Sequence, residues 1–290
     1  MVATALLPTL KSGGIKIARL VRPGSPRGGS DEEAISWNPS QPISPDAVSG
    51  FDAVIHLAGE SIAEGRWTDA KKERLRASRI PTTQHLSEAL AQTKSKPSVF
   101  LSASAVGFYG NRGDAVLTEE SAAGTGFAAG LSRDWEAATS AAVRAGIRTV
   151  QMRIGIVLAK QGGALQKMLP PFKLGVGGRI GSGRQYMAWI DLQDVLGAIH
   201  HLLGSTLAGP VNLVAPQQVT NAEFTKTLAS ALHRPAIFPL PAFAARLALG
   251  QMADELLLAS QRVEPAKLMA SGYSFRFGDL QASLENILKK

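Results

Sequence analysis

The chain contains no cysteine. This excludes disulfides, thiolate metal sites and cysteine nucleophiles, and it leaves the redox compartment open. No stretch approaches the roughly 18 consecutive apolar residues that a membrane helix needs. Residues 1–10 are apolar but have no basic leader and no cleavage pattern, and Pro8 interrupts them, so no secretory signal is expected. Neither G-x-G-x-x-G nor G-x-x-x-x-G-K-[ST] occurs, so neither of the familiar glycine loops that cradle phosphates is present. Internal repeats and low-complexity tails are also missing. A cytoplasmic protein with no membrane partner is the resulting expectation.

The 290 residues suffice for one large α/β domain or a domain with a modest cap. The apolar fraction of 45% and charged fraction of 19% describe an ordinary globular chain with a real core. A net charge of +8 suits nucleic acid, a membrane surface or phosphorylated small molecules. Basic residues are spread along the chain, apart from short clusters such as Lys71, Lys72, Arg74, Arg76 and Arg79. No motif of the nucleic-acid readers accompanies them, so a groove for a phosphorylated small molecule is the expected use.

The first half alternates β-rich and helical runs, the signature of βαβ units and a parallel sheet. Residues 2–11 read as the end of a helix and 16–22 as a strand. Residues 23–50 read as a loop with an extended piece at 35–37. The apolar run 53–59 reads as a buried strand, 69–92 as a helix broken at Pro81, and 98–104 as the next strand. A helix over 132–145 and a strand over 148–154 follow. A doubly wound sheet ordinarily opens with a strand and a glycine turn. This one opens on a helix, so the first strand is expected to be missing. Residues 161–185, rich in glycine, read as a loop or lid around a short helix at 164–174. Beyond them the pattern gives helices at 191–203, 220–232, 243–249, 254–262 and 279–288, and a strand at 211–214. The expected division is a Rossmann-like nucleotide-binding domain over 1–160, taking in part of 186–214, and a smaller substrate domain over 161–290.

Ligands of open α/β sheets bind outside the carboxyl ends of the strands, so the residues at those ends are the candidates. Arg22 ends one strand before Pro23, where an arginine suits an adenosine 2′-phosphate; alone it also reads as a solvated strand end. Leu57, Ala58, Gly59 and Glu60 end the next strand, where small residues let a cofactor approach the backbone or helices pack tightly. Ser102 and Ser104 end the third, with Tyr109 shortly after, and a serine there can bond a substrate hydroxyl or carbonyl. Arg153 lies within an apolar strand and needs either a carboxylate or an anionic ligand. His56, inside a buried strand, reads as a satisfied core residue. His85, His200, His201 and His233 lack metal-site spacing, so no metal is expected.

Several segments occur together in order. They are Asp52-Ala-Val-Ile-His-Leu-Ala-Gly-Glu-Ser61, Arg66-Trp-Thr-Asp-Ala-Lys-Lys-Glu-Arg74, Ser102-Ala-Ser-Ala-Val-Gly-Phe-Tyr-Gly110 and Arg133-Asp-Trp-Glu136. Met168-Leu-Pro-Pro-Phe-Lys-Leu-Gly-Val-Gly-Gly178, Ile180-Gly-Ser-Gly183, Val263-Glu-Pro-Ala-Lys-Leu268 and Gly272-Tyr-Ser-Phe275 follow. The series resembles the atypical, extended short-chain dehydrogenase/reductases called epimerase family proteins, which carry a C-terminal domain of unknown function. The resemblance covers nearly the whole chain. It implies a Rossmann fold, NADP(H) in preference to NAD(H), and a small-molecule substrate. It implies that Arg22 meets the 2′-phosphate region, that Leu57, Ala58, Arg79 and Arg153 surround the cofactor, and that Ser104 matches the active-site serine or threonine.

Two departures stand out. The family opens with a strand and G-x-x-G-x-x-G, whereas Met1-Val-Ala-Thr-Ala-Leu-Leu-Pro8 looks like the tail of that motif with Ala3 at its last glycine. The family fold's Tyr-x-x-x-Lys pair is unrecognisable, and Phe127-Ala-Ala-Gly-Leu-Ser-Arg-Asp-Trp135 stands in its place. Three functional expectations result. The first is an NADP(H)-dependent oxidoreductase or epimerase on a small, sugar-like substrate, with Ser104 polarising the reacting oxygen and Tyr109 as a candidate acid. The second is a non-catalytic nucleotide-binding or interaction protein. The third is a product whose true start lies upstream of Met1, with impaired cofactor binding.

Overall fold

The computed structural model describes residues 1–25 and 33–289. Helix α1 (Val2–Ser12) leads to the strands β1 (Ala18–Val21) and β2 (Glu33–Ser36), and a 3-10 turn at Pro45–Val48 precedes β3 (Ala53–His56). Helices α2 (Asp69–Ala77) and α3 (Ile80–Gln92) carry the chain to β4 (Val99–Ala105). After β5 (Val116–Leu117), α4 (Phe127–Ala137) and α5 (Ser140–Arg144) lead to β6 (Arg148–Ile154). Next come β7 (Ile156–Leu158), α6 (Gly163–Lys173), β8 (Tyr186–Met187), β9 (Trp189–Asp191), α7 (Leu192–Gly204) and β10 (Gly209–Leu213). The remainder is β11 (Val219–Thr220), α8 (Asn221–Leu232), α9 (Ala242–Leu249), β12 (Arg262–Val263), α10 (Ala266–Ala270) and α11 (Leu280–Leu288).

The main sheet is parallel and ordered β10-β6-β4-β3, while β1 and β2 form a separate parallel pair. Alternate residues of each strand face opposite layers. Leu101, Val150, Met152, Val211 and Leu213 pack with Leu6 and Leu10 of α1 and with Val195, Ile199 and Leu202 of α7. Phe100 and Val54 turn the other way, against Leu86 and Leu90 of α3 and Ala142 of α5. Helices therefore cover both faces of a parallel sheet, as a doubly wound α/β fold requires. A second apolar cluster joins Leu165 and Phe172 of α6, Phe224 and Leu228 of α8, and Leu280 and Leu284 of α11.

Local signals account for most of the elements that the pattern gave, and three of the departures have a clear physical reason. Helix α2 ends at Ala77, with Ser78 as its C-cap, and α3 begins at Ile80, so the break precedes Pro81. Pro81 sits in the first turn of α3, where a backbone N–H has no helical acceptor to lose. The helix expected from residue 132 begins five residues earlier. Glu255 reaches back from the C-terminal region to accept the N–H groups of Phe127 (3.1 Å) and Ala128 (2.7 Å), a cap supplied 128 and 127 residues away. The helix expected over 254–262 is a π turn at Ala253–Leu257 followed by β12, which pairs with β5. The loop expected over 23–50 lies in part, at 26–32, outside the described residues.

The start of α8 carries a capping box. The Thr220 hydroxyl accepts from the Glu223 N–H (3.3 Å), and the Glu223 carboxylate accepts from the Thr220 N–H (2.7 Å). Thr220→Ala is expected to cost about 1 kcal/mol, lowering Tm by roughly 2–4 °C. Thermal unfolding of the variant checks this, and an unchanged Tm would show the box to be idle.

Candidate functional site

The parallel register sets polar side chains in two rows on one face of the sheet, near the carboxyl ends of its strands. In the inner row His56 stands opposite Ser102, and Ser102 opposite Gln151. In the outer row Ser104 stands opposite Arg153, and Arg153 opposite Asn212. Residues two apart share a face, so both rows meet the layer made by α3, α4 and α5.

The outer row is organised around one buried cation. The Arg153 side chain is 4% exposed, and its Nε and Nη2 donate to the two carboxylate oxygens of Glu136 at 2.8 and 2.9 Å. Burial alone would lower the Arg153 pKa, but the bonds to Glu136 and to Tyr109 outweigh it and raise it. Nη1 donates to the Tyr109 hydroxyl oxygen (3.0 Å) and the Glu119 carbonyl (3.3 Å), and the guanidinium lies 3.5 Å from the centroid of the Phe108 ring. The Ser104 hydroxyl donates to the same Glu136 oxygen that meets Arg153 Nε, at 2.6 Å. Tyr109 is fully buried, donates to Asn212 Oδ1 (2.7 Å), and has its pKa raised by that burial. Asn212 extends the network to the C-terminal region by donating through its amide nitrogen to the Glu264 carbonyl (2.9 Å).

In the inner row His56 Nε2 lies 2.9 Å from the Thr83 hydroxyl, which also accepts the Trp135 indole N–H at 2.9 Å. Burial pulls the imidazole pKa down to about 4. Ser102 is buried and bonds weakly to its neighbour's carbonyl, at 3.5 Å.

At the edge of β3 the chain loosens. Leu57 is half-buried, and Ala58 and Gly59 are exposed. Arg79 is buried, donates to the Glu60 carbonyl (2.8 Å), and stacks 5.0 Å from the Trp135 ring. Burial lowers its pKa to about 10, so it stays cationic at neutral pH. A Cβ on residue 59 would lie 3.3 Å from the Arg79 guanidinium carbon, so a side chain there would press on it. Glu60 pairs with Lys71 (2.6 Å) and Arg74 (3.3 Å), and these partners lower its pKa. Arg22 is exposed at the end of β1, where its carbonyl accepts from Ser25.

The structure thus gathers Ser104, Tyr109 and Arg153 into one network and sets Leu57, Ala58, Gly59, Glu60 and Arg79 beside one another. Arg22 stands on the separate β1–β2 pair. The carboxylate that Arg153 required is Glu136, and Glu136, Glu119, Asn212, Thr83 and Trp135 are partners the sequence reading passed over. The charged residue inside an apolar strand announced that a partner existed, but which carboxylate it was depended on the packing of α4. The glycine-rich segment after α6 is tied down by the backbone. Ile180 bridges to Leu240, and a Cβ on residue 178 would lie 2.1 Å from the Phe238 carbonyl oxygen.

A parallel sheet between helical layers, with its polar rows at the carboxyl ends of the strands, defines a Rossmann-like α/β protein. The chain belongs to the NAD-dependent epimerase/dehydratase family, whose model matches residues 1–214, and residues 240–287 match a domain of unknown function, DUF1731. An epimerase family protein of Mycobacterium leprae is 44% identical over 98% of this chain and 91% of its own. The human epimerase family protein SDR39U1, solved with NADPH, superposes with a TM-score of 0.88 at 33% identity, covering 99% of this chain and 95% of that one. A nucleoside-diphosphate sugar epimerase from Corynebacterium glutamicum gives a TM-score of 0.80 at 36% identity, over 99% of this chain and 56% of the other. Among the described residues, no helix is long and apolar enough to cross a membrane.

Proposed function

We propose that the chain is an NADP(H)-dependent oxidoreductase or epimerase acting on a small, sugar-like molecule, with the nucleotide along the carboxyl edge of β1, β3 and β4. The observation that carries this reading is the short Ser104–Glu136 hydrogen bond at the end of β4, held by a buried arginine. The residues at the strand ends fit a dinucleotide. Ala58 and Gly59 are small and exposed, Arg79 braces the turn behind them, and Arg22 is an exposed cation at the end of β1. Leu57, Glu60 and Ser102 complete the lining, and Arg22 selects the 2′-phosphate. The nicotinamide supplies a hydride acceptor or donor when bound.

The chain's own residues handle the oxygen and its proton. Ser104 presents its hydroxyl to the substrate oxygen. Glu136 accepts the serine proton as the substrate's proton moves to the serine oxygen, and returns it in the reverse direction. Arg153 keeps Glu136 oriented through its two bonds. Tyr109, whose hydroxyl is occupied by Arg153 and Asn212, holds the guanidinium in plane and acts as a positioning residue. This division replaces the missing Tyr-x-x-x-Lys pair with a serine–glutamate pair.

Titration of the purified chain with NADPH and NADH by calorimetry tests the reading. NADPH is expected to bind more tightly, and Arg22→Ala is expected to weaken NADPH about tenfold while leaving NADH unchanged. Binding of neither nucleotide would overturn the cofactor assignment. Binding without turnover of any carbonyl or sugar-nucleotide panel member would favour a nucleotide-binding protein that performs no chemistry.

A further inference from the structure

We infer that the C-terminal region carries a docking face for an anionic membrane surface, formed where the segment after α6 meets the segment leading into α9. Among the described residues thirteen large apolar side chains are exposed, and seven of them fall within 174–176 and 237–247. Such a concentration marks an interaction site, whereas single exposed apolar side chains need no explanation. Leu174 and Leu247 are 78% and 77% exposed and Ile237 and Phe243 71% each, so they stand out from the surface rather than line a cleft. Hydrogen bonds set the two segments side by side. Arg234 Nε donates to the Lys173 carbonyl (3.2 Å), the Leu240 N–H to the Arg179 carbonyl (2.9 Å), and the Gly181 N–H to the Leu240 carbonyl (2.8 Å). The exposed Leu174 and Val176 therefore lie beside the exposed Ile237 and Phe238, and Pro241 leads directly into α9. On α9 Phe243 and Leu247 are four residues apart and share a stripe, while its buried residue, Ala245, faces the opposite way.

The charge around this face selects its occupant. Between Glu136 and Asp191, and again between Glu223 and Asp254, the sequence has no aspartate or glutamate. Both segments of the face lie inside these stretches, so every charged side chain they contribute is a cation. Arg246, on α9, is answered by Asp254 just beyond the second stretch (2.8 Å). Lys173, Arg179 and Arg234 are exposed among the apolar side chains. An apolar centre with a cationic border suits acidic lipid headgroups: phenylalanine and leucine enter the acyl boundary while the cations meet the phosphates. A second copy of the chain would bring two cationic borders together. An acidic amphipathic helix would need a groove, and side chains this exposed do not form one. A lipid surface deforms around protruding side chains. The expectation of no membrane partner rested on the absence of a spanning helix, and a surface contact requires none.

The test is co-sedimentation of the full chain with vesicles, without nucleotide so that it stands apart from the cofactor reading. One set of vesicles is an equal mixture of phosphatidylcholine and phosphatidylserine, and the other is phosphatidylcholine alone. Partition onto the mixed vesicles is expected to be stronger by roughly tenfold or more. Phe243→Ser/Leu247→Ser should weaken it by roughly tenfold or more, and Lys173→Gln/Arg234→Gln should bring it near the level of phosphatidylcholine alone. All four side chains are exposed, so both variants are expected to keep the wild-type Tm, which thermal unfolding checks. No partition onto the mixed vesicles would overturn the inference, and so would partition that Phe243→Ser/Leu247→Ser leaves unchanged. A dimer in solution that the same pair of substitutions dissociates would overturn it in favour of a second copy. A soluble acidic amphipathic peptide that binds this face, with vesicles left unbound, would overturn it in favour of a protein partner.

Discussion

Glu136→Ala is expected to destabilise the protein by about 3–5 kcal/mol, the cost of leaving a buried guanidinium without its countercharge. Arg153 would keep the Tyr109 oxygen and the Glu119 carbonyl, both neutral, at 3.0 and 3.3 Å. Ser104 would lose its acceptor as well. The pair itself need not stabilise the fold by that amount, because desolvating two ions costs nearly as much as their attraction returns. Removing both partners should therefore be much milder than removing either. In urea unfolding the double variant Glu136→Leu/Arg153→Met is expected to lose less stability than the two single variants combined. Glu136→Gln, which keeps the shape and one acceptor, should fall between wild type and alanine. If Glu136→Ala cost under about 1 kcal/mol, Arg153 would have to be solvated, contrary to its burial.

The second large effect is an acid instability owed to His56. Its pKa in the folded protein is lowered from the ordinary 6.5 to about 4 by burial beneath α3 and α4. Between these values the unfolded chain binds a proton that the folded chain refuses, so stability rises with pH across that window. The contribution is complete above pH 6.5 and is lost as pH falls through about 4. The gap between the two values corresponds to about 3 kcal/mol. His56→Gln should lower stability at neutral pH by a smaller amount, through altered bonding to Thr83, and flatten the slope between pH 6.5 and 4. Denaturant midpoints measured across that range decide the matter. An equal slope in wild type and variant would assign the acid sensitivity to other groups.

The polar rows explain why the fold was easier to read than the site. The apolar run at 53–59 and the strand at 148–154 announced themselves through composition, and the glycine after residue 145 announced a helix end. Arg153 was conspicuous because a charge inside an apolar strand must be compensated. Glu136 was not conspicuous: a glutamate on a helix is usually solvated, and nothing near it in sequence shows that the helix turns it toward β6. The cap of α4 was hidden for the same reason, since Glu255 lies far along the chain and competes with many carboxylates of equal local character. The helix read over 254–262 failed because an apolar periodic stretch is compatible with a π turn when its backbone is held by tertiary bonds.

By itself the sequence determined the alternation of strands and helices and the candidate ends at Arg22, Leu57, Ser104 and Arg153. These are consequences of local periodicity and of where apolar runs stop, which depend on residues within one turn or one strand. Only the tertiary structure decided that Ser104, Arg153 and Asn212 share a row, that Glu136 completes it, and that β1 and β3 stand apart. Register between strands and the approach of a helix to a sheet are set by packing between residues 17 to 59 apart, from Glu136–Arg153 to Arg153–Asn212, and no local pattern encodes which of several equivalent partners wins.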